Sequence, residues 1–192
     1  MSASQPANSK LFSRPALGEK VQAWKRAGEQ VILANGCFDV LHVGHIRYLH
    51  AAKQLGGRLV VAINADESVR AVKGPERPFM SENERAEIIA ALADVDAVVL
   101  FSEADVRALI RELHPEVQVK GTDYTVDSVP ERDEVIASGG RVEIVGDPKD
   151  HSSSAFLSKL AAAVSRSVPA GQADRRAIGD STGEFGNVEE KR

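Results

Sequence analysis

Residues 35–45 read Asn35-Gly36-Cys37-Phe38-Asp39-Val40-Leu41-His42-Val43-Gly44-His45 and lie between two different hydrophobic patterns. The apolar run at 31–34 before them predicts a buried strand, and the apolar residues Ile46, Leu49, Ala52 and Leu55 after them recur at helical spacing. The stretch is therefore expected to form a strand-to-helix turn. Such a turn brings free backbone N–H groups and the positive end of a helix dipole to one place, which suits a phosphate.

Two histidines stand three positions apart in this turn, His42 and His45, with Gly44 between them. Gly44 lets a ligand approach the backbone closely. Imidazoles at this place can donate hydrogen bonds to phosphate oxygens as negative charge builds up. The alternative is that the histidines only cap the helix or pack in the core. Their position after a strand and before a helix favours phosphate binding.

The rest of the chain alternates short apolar strands with helices. Further strands are predicted at 58–63, 97–101, 117–120 and 141–145, and helices at 16–27, 44–55, 81–93, 104–113, 131–137 and 153–165. The alternation predicts an α/β fold, a Rossmann-like five-stranded parallel sheet with helices on both faces. In such sheets the ligand binds beyond the C-terminal ends of the strands, where the polar motifs of this chain fall.

The helices also predict which side chains face the core. Leu17, Val21 and Trp24 share one face of the first helix, so Trp24 is expected in the core. Ser81 and Glu84 form a capping-box pattern that opens the helix at 81–93, whose residues Ile88, Ile89 and Leu92 are expected to face inward. Residues 64–80 are expected to be a long polar loop, a length that is often functional.

Several polar residues outside the histidine pair could contact a phosphorylated ligand. Lys73 in the 64–80 segment is a phosphate-binding point charge, with Arg77 as a second candidate. Asp39 and Asp66 follow strand ends and could orient substrate hydroxyls or assist Mg²⁺. The run Ser152-Ser153-Ser154 opens the last predicted helix and could bind phosphates with its hydroxyls and N–H groups.

Composition limits the class of protein. The 192 residues and 43% hydrophobic content predict one domain, 11–167, between a disordered N-terminus (1–10) and a disordered tail (168–192). A net charge of −4 argues against nonspecific nucleic-acid binding. The single cysteine, Cys37, excludes an internal disulfide and is expected to be a small buried side chain. No apolar run is long enough to span a membrane and the N-terminus lacks a signal-peptide centre, so a cytoplasmic location is expected.

Separated blocks of the chain are similar to the cytidylyltransferase-like nucleotidyltransferase superfamily, and within it to the heptose 1-phosphate adenylyltransferases. The resemblance runs from about residue 31 to 160 and is carried by 35–45, Val61–Val69, Lys73-Gly74 with Arg77-Pro78, Glu84-Arg85, Val95-Asp96, Lys120–Tyr124 and Ser152–Ser154. It implies an HxGH-type fold and transfer of AMP from ATP to D-glycero-β-D-manno-heptose 1-phosphate. The products would be ADP-heptose and pyrophosphate, formed by direct in-line attack for lipopolysaccharide or surface polysaccharide synthesis.

The resemblance also implies roles for residues, which join those expected from the residue types. The expected catalytic residues are His42, His45 and Lys73. The expected nucleotide-binding residues are Gly36, Cys37, Phe38, Gly44, Arg85, Gly121, Ser152, Ser153 and Ser154. The expected substrate-binding residues are Asp39, Asp66, Lys120, Asp123, Tyr124 and Arg77. Mg²⁺ would accompany ATP and be held mainly by its phosphates, without a dedicated protein metal site. The expected partners are small molecules, ATP and a sugar phosphate, and a homodimer is possible by analogy.

Other functions stay open at this point. Residues 147–151, Asp-Pro-Lys-Asp-His, lack the arginine that glycerol-phosphate cytidylyltransferases carry before the serine segment, which argues against cytidine. The alternative is a cytidylyltransferase acting on glycerol 3-phosphate or a phosphonate, or an enzyme similar to FAD synthetases. A noncatalytic nucleotide-binding protein is a third possibility, against which the histidine pair, Lys73 and the serines count. The chain is too short for an aminoacyl-tRNA synthetase.

Overall fold

A five-stranded parallel sheet forms the centre of the computed structural model, which describes residues 7–148 and residues 158, 159, 162 and 163. The strands are β1 Val31–Gly36, β2 Arg58–Asn64, β3 Ala97–Phe101, β4 Val117–Lys120 and β5 Arg141–Ile144. Their order is β3-β2-β1-β4-β5, and every pairing is parallel. The predicted α/β sheet is confirmed. The strand order reverses direction between β1 and β4, which is where open parallel sheets bind ligands.

Helices cover both faces of the sheet. They are α1 Arg14–Arg26, α2 Val43–Lys53, α3 Asp66–Lys73, α4 Glu82–Ala90, α5 Arg107–Leu113 and α6 Arg132–Ala137, with 3₁₀ turns at Ala7–Lys10 and Val126–Ser128. One apolar cluster joins α1, α5 and α6 to one set of strand residues, and a second joins α2 and α4 to the alternate set. Successive strand residues point to opposite faces, so the two clusters are the two sides of the sheet. Residues 31–34 of β1 are fully buried because both faces are covered.

Several helices differ from the prediction at their ends or faces, and α5 begins at Arg107, three residues after its predicted start. The first begins at Arg14, two residues early, because Ser13 caps it and Pro15 fits its first turn. Trp24 is buried, as predicted. In α4 the Ser81–Glu84 capping box is present, but Ile88 is wrong as a core residue, since it is 36% exposed. The buried residues of α4 are Arg85, Ala86, Ile89 and Ala90, which share one helical face.

Residues 64–80 are not the uninterrupted loop that was predicted, because they contain the helix α3. Asp66 and Glu67 lie in its first turn, where acidic side chains favour the helix dipole, and Val69 is buried. Gly74 ends the helix with a positive φ of 93°. Lys73 is therefore the last residue of a helix rather than part of a loop.

The N-terminal segment is ordered earlier than expected. Ala7–Lys10 is a 3₁₀ turn, Leu11 forms a parallel bridge with Val98, and the Phe12 N–H donates to the Val98 carbonyl at 2.9 Å. Residues 1–6 lie outside the described part of the chain.

The chain divides into two compact units, 1–156 and 157–192. In the second unit, residues 158, 159, 162 and 163 are helical. The rest of the predicted last helix and the predicted tail lie outside the described residues. Within the described ranges no helix is long and apolar enough to cross a membrane.

Candidate active site

A cavity of about 420 Å³ opens at the C-terminal ends of β1, β2, β4 and β5. It brings together most of the residues that the sequence predicted for the site: Gly36, Cys37, Phe38, Asp39, His42, Gly44, His45, Lys73, Lys120, Gly121, Asp123 and Tyr124. Predicted residues that do not line it are Asp66, Arg77 and Arg85. Ser152, Ser153 and Ser154 lie outside the described residues.

The two histidines form one unit at the start of α2. Their rings stack with centroids 3.9 Å apart and 24° between the planes. The backbone N–H of His42 points at Nδ1 of His45 at 3.4 Å, and the N–H of His45 donates to the carbonyl of His42 at 2.9 Å. Because Nδ1 of His45 accepts, the neutral ring carries its proton on Nε2 and can donate from that atom.

The environment keeps His45 neutral at physiological pH. Burial, and then the neighbouring charges of His42 and Lys73, lower the pKa of His45 to about 4. A neutral imidazole still donates a hydrogen bond through Nε2–H. Its contribution at this cavity is therefore a directed donor rather than a full positive charge.

Phe38 adopts a backbone conformation that side chains rarely take, with a φ of 48°. Its ring is buried and lies 5.3 Å from the His45 ring, centroid to centroid. A Cβ at Gly36 would come within 3.1 Å of the Phe38 ring, so Gly36 leaves the space that the ring occupies. Strain of this kind persists where the surrounding structure holds it, often at functional sites.

Cys37 differs from its predicted environment. It is half-buried and lines the cavity, whereas the sequence predicted a buried side chain. Its thiol lies 3.8 Å from the amide oxygen of Asn64, so it links the ends of β1 and β2.

Asp39 turns its carboxylate toward the segment that follows α3. It is almost fully buried, accepts hydrogen bonds from the N–H groups of Phe79 at 2.6 Å and Met80 at 3.2 Å, and forms an ion pair with Arg77. The Arg77 guanidinium also lies over the Phe79 ring, 4.5 Å from its centroid. Asp39 thus lines the cavity while its carboxylate is engaged by protein groups.

Arg85 is fully buried and its guanidinium is surrounded by protein oxygens. It donates to the carbonyls of Cys37 at 2.6 Å, Asn64 at 2.8 Å and Met80 at 3.1 Å, and pairs with Asp66 at 2.7 Å. Arg85 and Asp66, both predicted to contact a ligand, therefore pair with each other and do not line the cavity. The helical spacing of 85, 86 and 89 was a signal for this, since it puts Arg85 on the inward face.

Lys120 forms a buried ion pair that the sequence analysis missed. Its ammonium lies 3.2 Å from a carboxylate oxygen of Glu131, and both side chains are at most 10% exposed. The ammonium also lies 5.6 Å from the centroid of the Tyr124 ring. Glu131 precedes α6 and gives no pattern that marks it as a partner of Lys120.

Tyr48 was also missed, although it lines the cavity. Its hydroxyl donates to the Val119 carbonyl at 2.9 Å, and burial raises the pKa of Tyr48, so the phenol stays protonated. Tyr48 follows His45 by three residues on α2, and that spacing was the available signal.

Contacts among three further segments form part of the cavity wall. Arg47 of α2 pairs with Asp147 at 3.0 Å, and the Thr122 hydroxyl donates to the Asp147 carbonyl at 2.8 Å. Gly146 has a φ of 94°, and a Cβ there would lie 3.3 Å from the Cα of Tyr48. These cavity residues were not among the predicted site residues.

Within the described residues, no group of three or more His, Cys, Asp and Glu side chains could hold a metal ion. Asp123 and Asp147 are carboxylates on the cavity wall. A Mg²⁺ ion that enters with a triphosphate needs only one or two protein carboxylates, because phosphates and water supply the other ligands. The wall could meet that requirement.

Comparison with known proteins assigns a family to this geometry. A family model described as cytidylyltransferase-like matches residues 33–161. The chain is 49% identical over 152 residues to a protein of Mesorhizobium japonicum named "Bifunctional protein HldE", an alignment that covers 79% of this chain and 31% of the relative. A protein of the same name from Koribacter versatilis is 47% identical over 153 residues, covering 80% of this chain and 32% of the relative. The chain thus spans about a third of the length of these curated relatives.

A solved structure gives the same result for the fold. It is described as the lipopolysaccharide core biosynthesis protein from Thermoplasma volcanium and has a TM-score of 0.53 and 34% sequence identity. The match covers 62% of this chain and 95% of the other.

Proposed function

The chain belongs to the cytidylyltransferase-like family, and from this we propose that it transfers AMP from ATP to D-glycero-β-D-manno-heptose 1-phosphate. The products are ADP-heptose, a precursor of lipopolysaccharide or surface polysaccharide, and pyrophosphate. The observation that carries the proposal is the stacked His42–His45 pair at the start of α2, on the wall of a cavity that Lys73 also lines. The reaction is assigned to the cytoplasm, where ATP is available.

The reaction needs positioning more than covalent help from the protein. A phosphate oxygen of the sugar phosphate attacks the α-phosphorus of ATP, and the bond from that phosphorus to the bridging oxygen breaks as pyrophosphate leaves. Negative charge gathers on the α-phosphate oxygens and on the leaving group. His42, Nε2–H of His45 and the N-terminus of α2 donate to these oxygens, and Lys73 adds a positive charge.

The remaining cavity residues divide between the two substrates. Gly36, Cys37, Phe38, Gly44 and Gly121 line the nucleotide through their backbone. The sequence assigns the outer phosphates to the Ser152–Ser154 run, which lies outside the described residues. Lys120, Asp123 and Tyr124 bind the sugar phosphate. Asp123 or Asp147 on the cavity wall would hold a Mg²⁺ ion that enters with the triphosphate, and such an ion would neutralise further phosphate charge.

Similarity to these relatives, together with the sequence, supports heptose phosphate and ATP over glycerol phosphate and CTP. Three relatives named "Bifunctional protein HldE", one of them from Methylobacillus flagellatus, are 45–49% identical to this chain over 152 or 153 residues. The solved relative is named for lipopolysaccharide core biosynthesis. Residues 147–151 also lack the arginine of the glycerol-phosphate enzymes.

The test is pyrophosphate release by the full chain with Mg²⁺. ATP, CTP and GTP are each supplied with heptose 1-phosphate and with glycerol 3-phosphate, and His45→Ala provides the background rate. We expect release only from ATP with the heptose phosphate. Release from CTP with glycerol 3-phosphate would replace the proposal by the cytidylyltransferase alternative, and no release from any pair would overturn it.

A further inference from the structure

Lys73 reaches the cavity from the last residue of α3, so its position depends on how that short helix is held. The helix Asp66–Lys73 has 8 residues and spans about 12 Å. Lys73 itself is exposed. A long exposed side chain at the end of a short helix is placed accurately only if the helix is fixed at both ends.

The N-terminal end of α3 is fixed by Arg85. Asp66, the first residue of the helix, pairs with the buried Arg85 guanidinium at 2.7 Å. The same guanidinium holds the carbonyls of Cys37 and Asn64, which lie where β1 and β2 end. One buried side chain therefore ties the start of α3 directly to the strand ends beneath the cavity.

The segment just beyond the C-terminal end of α3 is fixed by Asp39. Arg77 forms an ion pair with Asp39, and the N–H groups of Phe79 and Met80 donate to the same carboxylate. Asp39 lies three residues before His42 in the histidine turn. Both ends of α3 are therefore connected to the 35–45 stretch: Arg85 contacts Cys37, and Arg77 contacts Asp39. We call these two connections the anchors of α3.

We propose that the Arg85–Asp66 and Arg77–Asp39 pairs are positioning pairs, which hold α3 so that Lys73 and the histidine pair act on the same phosphates. The proposal rests on the proposed function for the identity of those phosphates. A buried ion pair adds little net stability compared with well-packed apolar side chains. The geometry that these pairs impose on α3 explains their presence better than stability does.

The first test is a double-mutant cycle between Asp66 and Lys73. Asp66→Ala, Lys73→Ala and the double variant are compared by Kd for ATP, from calorimetry, and by kcat. We expect each single change to weaken ATP binding by about tenfold and the double variant to resemble Lys73→Ala alone, because Asp66 acts through Lys73. Effects that multiply in the double variant would overturn the proposal.

Matched controls come from the same helix. Arg70 is exposed and lies 3.8 Å from the other oxygen of Asp66, and Glu67 is exposed beside Asp66. Arg70→Ala and Glu67→Ala should leave Kd and kcat within about twofold of the wild type, since neither contact belongs to the anchors. Arg85→Lys should retain part of the ATP affinity and kcat that Arg85→Met loses. Should Asp66→Ala fail to fold in a thermal melt, Arg77→Ala tests the second anchor in the same cycle.

A second readout needs no ligand and separates the two proposals. Besides burial, the neighbouring charges of His42, just before α2, and of Lys73 on α3 lower the pKa of His45. In the protein without nucleotide, Lys73→Ala should raise the pKa of His45, measured by NMR titration, and should raise it less when Asp66 is already Ala. An equal rise in both backgrounds would overturn the positioning role. If the wild type binds no ATP, the proposed function fails while this titration still decides the role of the pairs.

Discussion

Nδ1 of His45 lies 3.4 Å from the backbone N–H of His42, and the two imidazole rings stack 3.9 Å apart. This contact fixes the tautomer of His45, with Nδ1 as the acceptor and Nε2–H as the donor. The three-residue spacing of the histidines thus lets the backbone of His42 orient the His45 ring.

The depressed pKa of His45 predicts how stability depends on pH. Between about pH 6.5 and 4 the unfolded chain binds a proton at His45 that the folded protein does not, so the free energy of unfolding falls as the pH falls through this range. Urea unfolding of the wild type and of His45→Gln should show the wild type losing stability relative to the variant over this range and levelling off below about pH 4. An NMR titration midpoint for His45 near 6.5 would contradict the argument.

Removing the His45 donor should affect turnover and leave the fold intact. His45→Ala is expected to lower kcat by about 10²-fold or more, the usual cost of one donor to the transition state. The control is His50→Ala on the same helix, since His50 is exposed and pairs with Asp94 away from the cavity. His50→Ala should retain the wild-type kcat, and comparable losses in the two variants would count against a specific role for His45.

The buried Lys120–Glu131 pair predicts a separation of stability from substrate binding. Glu131→Ala leaves the Lys120 charge buried and should lower the free energy of unfolding by roughly 3–5 kcal/mol. The double variant Lys120→Met/Glu131→Leu should recover most of that loss, because two apolar side chains replace two charges. Urea unfolding measures the first effect. The double variant should still show a raised KM for the sugar phosphate, and an unchanged KM would remove Lys120 from the substrate site.

Gly36 predicts an effect on the nucleotide pocket. Gly36→Ala places a methyl group within 3.1 Å of the Phe38 ring, which must then move, at a cost of about 1–3 kcal/mol. ATP affinity should fall by about tenfold, and the rate of thiol labelling at Cys37, the one cysteine of the chain, should change with the displaced pocket. Gly18→Ala in α1 is the control. A Cβ there meets no atom within 4 Å, so this change should raise stability by about 0.5–1 kcal/mol without altering either readout.

The sheet and the histidine turn were predictable because they depend on local patterns. Residues 31–34 form an apolar run that is fully buried, and the change from strand to helical spacing after them marks the turn. The capping-box pattern of Ser81 and Glu84 likewise indicated where α4 begins. Such signals are complete within a few residues of sequence.

The parts that escaped prediction depend on contacts between distant residues. The helix α3 has few apolar residues, so its own sequence predicts it only weakly. Arg85 comes 19 positions after its partner Asp66, and Asp39 comes 38 positions before its partner Arg77. No local pattern reveals pairs that are so far apart in the sequence. Glu131 is likewise recognisable only once β4 brings Lys120 beside it. The helical periodicity of α4 indicates that Arg85 lies on the inner face. It does not indicate that the guanidinium donates to backbone carbonyls instead of facing the cavity.

The bridge between Leu11 and Val98 has a consequence for the behaviour of the protein in concentrated solution. β3 is an edge strand, and an edge strand left open can pair with the edge of another molecule and begin aggregation. Leu11 and Phe12 occupy that edge through the bridge and the hydrogen bond to Val98. We therefore expect the segment that precedes the first helix to limit edge-to-edge association at β3, which lies apart from the cavity at the ends of the other four strands.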